Sequence, residues 1–194
     1  MRVRTSVRQL TFLATLLLPS VLQAQTAPPQ AQVELTHALL GDWTGVLEYR
    51  DYSEPPASLK RVELPTWLTI STAPEGLYLD YTYDDGPSKT VSEHSVVVLD
   101  LRSAFYNIVG EESVIESLKI DGVGGLKDGH GVLTLTGSIT ENGHPADVRT
   151  TWTIRRNLIS WLEETRLAGT ADPFTFRHKY TFVRTTVPKP KTSR

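Results

Sequence analysis

The chain has 194 residues and no cysteine. That absence excludes a disulfide framework, a cysteine-ligated zinc site, an iron–sulfur cluster and a thiol nucleophile. It also excludes the thioether lipid anchor of a bacterial lipoprotein, which needs a cysteine. A basic excess is missing too. Lys and Arg number 20 against 22 Asp and Glu, the formal charge is −2, and no long basic run occurs. A nucleic-acid-binding protein usually carries a basic stripe, so no nucleic-acid partner is expected. There is no Gly-x-Ser-x-Gly elbow, no His-Glu-x-x-His run and no Walker-type loop. Nothing visible therefore supports catalysis, and no enzyme activity is expected.

What is present begins with an address. Arg2, Arg4 and Arg8 precede an uncharged apolar run from Leu10 to Leu18, Pro19 breaks it, and Leu22-Gln23-Ala24 follows. This is the order of a secretory signal peptide, with cleavage expected after Ala24. The run is about half the ~20 residues of a membrane span, and no later stretch approaches that length. Residues 1–24 carry three Arg and no acid, so their removal takes the formal charge from −2 to −5. The expected product is an exported, mildly acidic domain, periplasmic or secreted. Residues 25–32 (QTAPPQAQ) read as a flexible leader and 186–194 (TVPKPKTSR) as a flexible basic tail. The folded domain is expected over residues 33–185.

Only Glu34–Leu40 reads as helix. Leu35, Ala38 and Leu39 share a face and Gly41 stops it, giving a turn or two. The rest alternates with period two. Ten strands are expected, over 43–51, 66–72, 77–83, 90–100, 104–109, 113–120, 131–140, 146–155, 158–167 and 174–185. Asp85-Gly86, Asp121-Gly122, Asp128-Gly129 and Asn142-Gly143 suit the positive φ of tight turns. No crossover helix separates any two strands, so a parallel sheet is disfavoured. The expectation is an all-β, antiparallel up-and-down barrel, since closure removes exposed edges. A sandwich is the competing architecture.

Parity assigns the faces. In the last strand Phe174, Phe176, His178, Tyr180, Phe182 and Arg184 fall on one face, taken as the interior. Leu77, Leu79, Tyr81 and Tyr83 share a face in the third strand. Trp43, Gly45, Leu47 and Tyr49 do so in the first, and Val148, Thr150, Trp152 and Ile154 in the eighth. The ninth strand carries apolar and charged groups on both faces, and the pattern does not orient it. Tyr49, Tyr81, Tyr83, Trp152, His178 and Tyr180 are the candidate cavity residues, because buried tyrosine hydroxyls need partners, from the protein or from a ligand.

Leu40-Gly41-Asp42-Trp43-Thr44-Gly45 stands at the helix-to-strand junction. It resembles the Gly-x-Trp motif that opens the first strand of lipocalins and related calycin barrels. The resemblance implies a short N-terminal helix closing one end of the barrel. It also implies an Arg of the last strand, here Arg184, lying over the Trp43 ring as a structural closure pair. Typical lipocalins have eight strands, a C-terminal helix and often disulfides. This chain has more strands, no such helix and no cysteine. It is more similar to the ten-stranded relatives, which include fatty-acid-binding proteins and nitrobindin-like haem barrels. In the latter a His of the closing strand holds haem iron, and His178 lies in that strand on the inward face. The alternative role of His178 is a hydrogen bond to Tyr83 or Tyr180.

Other polar groups are read as loop or surface polarity. His130 and His144 sit in turns, and Glu93-His94 points its side chains to opposite faces, so no metal site is expected. Asp84-Asp85 and Glu111-Glu112 are loop pairs. Glu163-Glu164 straddles a strand, which makes the two carboxylates poor partners for acid–base work. Gly122-Val123-Gly124-Gly125 is not followed by a helix and is read as a flexible turn. Three functions remain. The first is a binding module that takes a small apolar or amphipathic molecule, with no cofactor. The second is a haem barrel with His178 as axial ligand. The third is a filled barrel that acts through its outer surface as an envelope component.

Overall fold

In a computed structural model, residues 30–55, 58–109 and 114–187 are described. The expected signal segment, the larger part of the expected leader and all but the first two residues of the expected tail lie outside them. One helix, α1 (Gln30–Leu39), precedes ten strands. These are β1 (Gly41–Arg50), β2 (Arg61–Ala73), β3 (Gly76–Asp84), β4 (Thr90–Asp100), β5 (Phe105–Val109), β6 (Val114–Asp121), β7 (Gly131–Glu141), β8 (His144–Arg155), β9 (Leu158–Leu167) and β10 (Thr175–Arg184). Each strand pairs antiparallel with its sequence neighbour and β1 pairs with β10, so the sheet is a closed up-and-down barrel. The sandwich is thereby excluded. No helix among the described residues is long and apolar enough to cross a membrane.

Hairpin chemistry sets the register. Asn142 and Gly143 both have positive φ (50° and 79°) and form the two-residue turn that pairs Glu141 with His144. Asp128 and Gly129 (50° and 75°) turn the chain between Lys127 and His130 in the same way.

Beyond shifts of one or two residues at element ends, three features differ from expectation. The helix starts at Gln30, inside the segment expected to be a flexible leader. Pro28-Pro29 immediately precede it, and proline suits the first helical turn. Gln30 donates to Glu34 one turn on (2.6 Å), and Gln32 accepts from the Leu101 N–H (2.9 Å). Strand β2 starts at Arg61 and runs through Pro65. Residues 61–65 pair with β1, whereas β3 joins only from Thr66. One side of β2 is therefore unpaired at Pro65, which is where a strand tolerates proline.

The third difference changes which side chains face inward. In β10 the register against β9 shifts between Phe176 and His178, a β-bulge at Arg177. The extra residue reverses parity on its N-terminal side. Phe174 and Phe176, expected inside, lie on the outer face. Arg149 and Arg166 flank the Phe174 ring (4.5 and 4.6 Å) and Arg61 covers Phe176 (4.3 Å). His178, Tyr180 and Phe182 keep the inward face.

The core fills the end of the barrel under α1. Leu35, Leu39, Trp43, Leu68, Leu133, Leu135, Ile159 and Phe182 are fully buried in one cluster. The Trp43 indole N–H donates to the Leu39 carbonyl (2.9 Å). Arg184 lies 4.2 Å over the Trp43 ring, and its guanidinium donates to the carbonyls of Leu40 (2.7 Å) and Ala38 (2.8 Å). A Cβ on Gly41 would stand 2.8 Å from that guanidinium, at a φ of +119° that side chains rarely adopt. The glycine thus leaves both the backbone turn and the space that the arginine needs.

Candidate functional site

Among the described residues, the opposite end of the barrel is neither filled nor capped. It carries the β3–β4, β7–β8 and β9–β10 connections and the described part of the β1–β2 connection. A cavity of about 260 Å³ lies inside, and a recess of about 400 Å³ opens above it. Tyr83, Glu93, Arg177, His178 and Tyr180 line both. Among the described residues, side chains do not fill this end of the barrel.

The cavity wall is aromatic at its base. Trp161 packs against Trp152 (5.2 Å between ring centres), Tyr180 (5.9 Å), Phe182 (5.9 Å) and Tyr81 (6.3 Å), while Tyr106 meets Trp152 edge-on (5.4 Å). The Tyr83 hydroxyl bonds that of Tyr180 (2.9 Å) and reaches Glu93 (3.3 Å). Burial pushes the Tyr81, Tyr83 and Tyr106 hydroxyls well up, and Tyr180 up to about 12, so all four stay neutral. Of the candidates, Tyr81, Tyr83, Trp152, His178 and Tyr180 come together here, and Tyr49 lines only the outer recess. Strand β9, which the pattern left unoriented, faces Ile159, Trp161, Glu163 and Thr165 inward.

Above the aromatics stands a group that sequence reasoning missed. Glu163 accepts from Arg177 and, at 3.4 Å, from Thr150, and its carboxylate lies 3.7 Å from the His178 Nε2. Arg177 also faces Glu141 (3.6 Å). Glu93 and Glu116 line the same cavity. Burial raises the Glu116 carboxyl above its ordinary value; Glu163 adds to this and Arg177 opposes it. Burial lowers the His178 imidazole, against the pull of Glu163, so it is neutral near pH 7. Burial also works against the Arg177 charge, yet Glu163, Tyr52 and Glu141 together hold that group above its ordinary value.

Parity could have found the carboxylates. Glu93 follows Val97 and Ser95 toward the mouth, Glu116 follows Ile120 and Leu118, Glu141 follows Leu135 and Ile139, and Glu163 follows Ile159 and Trp161. Each inward stripe changes from apolar to acidic at the open end. Arg177 carried no such signal, because only the bulge turns it inward. The wall also parts there. The β6–β7 ladder runs only between Lys119–Asp121 and Thr134–Thr136, and Glu116 and Glu141 lie on the unpaired stretches.

The polar half is a poor fit for haem. The His178 Nε2 already faces the Glu163 carboxylate, and Glu93, Glu116 and Glu163 line the same cavity, so anionic propionates would meet like charge. Among the described residues no group of three or more His, Asp or Glu is arranged to hold a metal ion. No protein-family model matches this chain, and no curated protein matches it in sequence. The closed ten-stranded barrel is compatible with a calycin-like fold.

Proposed function

We propose that this protein is an exported, lipocalin-like binding barrel that takes up a small amphipathic molecule through its open end. The observation that carries the reading is the aromatic cavity that continues into an open recess. An apolar portion of the ligand would lie against Trp152, Trp161 and Tyr81. Burial of apolar surface would drive binding at about 25 cal/mol per Å². The polar groups nearer the mouth would orient the rest. Two features support the lipocalin-like assignment: the Gly41-x-Trp43 opening and the arginine that stacks on its tryptophan. The basic and apolar order of residues 1–24 supports export to the periplasm or the medium.

The reading assigns binding, with no bound cofactor and no catalytic step. Glu163 is held by Arg177, which leaves it poorly placed as a base, and haem would meet the carboxylates described above. The test is a native mass spectrum of residues 25–194 purified from an exporting host, repeated after incubation with mixed single-chain amphiphiles. A retained extra mass, lost when Ser95→Trp fills the cavity, is expected. The bare polypeptide mass under both conditions would overturn the proposal.

A further inference from the structure

The charges in the cavity do not balance, and the imbalance has a sign. Arg177 is the cation that lines both the cavity and the recess, and two carboxylates engage it, Glu163 and Glu141. His178 is neutral near pH 7. Glu93 and Glu116 have no cation within ion-pair distance among the described residues. Glu93 receives only the Tyr83 hydroxyl, and Glu116 is half-buried opposite Glu163. Two carboxylates therefore face the cavity with no ion pair of their own among the described residues.

A second observation is independent of charge. Trp161 is 6% exposed and lines the cavity, yet its buried indole N–H has no acceptor among the described residues. An unmatched buried donor is costly and uncommon. That N–H is closed to solvent, so a ligand would reach it only by displacing a neighbouring side chain. The surrounding rings add to the preference, since the faces of Trp and Tyr attract cations.

We infer that the ligand is a small organic cation. It would be an amine whose ammonium group sits between Glu116 and Glu93 and whose apolar stem lies against the Trp152, Trp161 and Tyr81 rings. This rests on the proposed binding function and narrows it to one chemical class. An anionic amphiphile would have to displace Glu163 or Glu141 from Arg177 and lie beside two free carboxylates. The mouth is thus built against it.

The test is calorimetric titration of the mature protein with three probes that share an acetamide and a hexamethylene stem. N-acetylhexamethylenediamine ends in an ammonium, N-heptylacetamide in a methyl group and 7-acetamidoheptanoate in a carboxylate. The ammonium probe should bind roughly tenfold or more tighter than the methyl probe, and the carboxylate probe weakest. Glu116→Gln should remove most of that preference. Glu93→Gln is a second variant, and the wild-type ranking needs neither. Equal or tighter binding of the methyl or carboxylate probe overturns the cation assignment and leaves the binding reading standing. An ammonium preference untouched in both variants overturns the placement of the charge. Failure of all three probes to bind counts against the binding function itself, and this inference falls with it.

Discussion

Arg184 illustrates how much one side chain can join. Its guanidinium stacks on Trp43 and donates to the Leu40 and Ala38 carbonyls, linking the last strand to the helix end. Arg184→Ala removes a cation–π contact and three charge-assisted hydrogen bonds, the third a long one to the Arg156 carbonyl (3.4 Å), so urea unfolding should show a loss of about 2 kcal/mol. Arg184→Lys should recover little of it, because an ammonium cannot present the planar fork to both carbonyls. A loss below about 0.5 kcal/mol in Arg184→Ala would deny the pair its closing role. His178 makes a prediction about pH. Burial holds its folded-state pKa below the unfolded value of about 6.5. The unfolded chain therefore binds more protons in that window. The contribution of neutral His178 is complete above about pH 6.5 and is lost as pH falls through the folded value. Unfolding measured from pH 8 to 5 should show the wild type losing stability relative to His178→Gln. Parallel curves would mean that the imidazole is solvated.

At the scale of elements, the bulge in β10 decides the chemistry of the mouth. Without the extra residue, Phe176 and Phe174 would point at Glu163 and Glu141, and no guanidinium would reach them. Deletion of Arg177 should cost roughly 2–4 kcal/mol, because it strips two partly buried carboxylates of their partner and forces phenyl rings among them. Arg177→Ala keeps the register and should cost less; equal losses would mean that the bulge itself contributes nothing. This element also marks where reading from sequence stops. Alternation identified ten strands and the inward faces of β1, β3 and β8, because one face of each strand is dry. It also placed Tyr81, Tyr83, Trp152, His178 and Tyr180 together. It misassigned Phe174 and Phe176, since a bulge leaves no mark in hydrophobic periodicity. It did not orient β9, because Glu163 continues an apolar stripe into a polar mouth and a charge usually signals the wet face. The helix outran its apolar pattern because Gln30 and Gln32 stabilise it through hydrogen bonds, which periodicity does not register.

The whole molecule is a barrel with unlike ends. One is packed solid beneath α1 and sealed by Trp43 and Arg184. The other opens through aromatic rings into carboxylates. The outer wall carries ion pairs such as Arg149–Glu164 (2.8 Å) and Arg166–Asp147 (3.1 Å), which suit a surface facing water. The closed end should therefore govern stability and the open end binding, with little cross-effect between substitutions at the two. The four tryptophans report on this division. Trp43 is tied to Leu39 at the sealed end, Trp67 lies on the outer face of β2, and Trp152 and Trp161 line the cavity. The most direct measurement is the set of indole N–H resonances of ¹⁵N-labelled residues 25–194, assigned with Trp161→Phe and titrated with the three acetamide probes. The account predicts that at least one probe shifts the Trp161 resonance as it packs against the indole ring. Trp152 should move with it, and Trp43 and Trp67 should stay in place. Still resonances for Trp161 and Trp152 with every probe, or movement confined to Trp67, would contradict a ligand site inside the barrel.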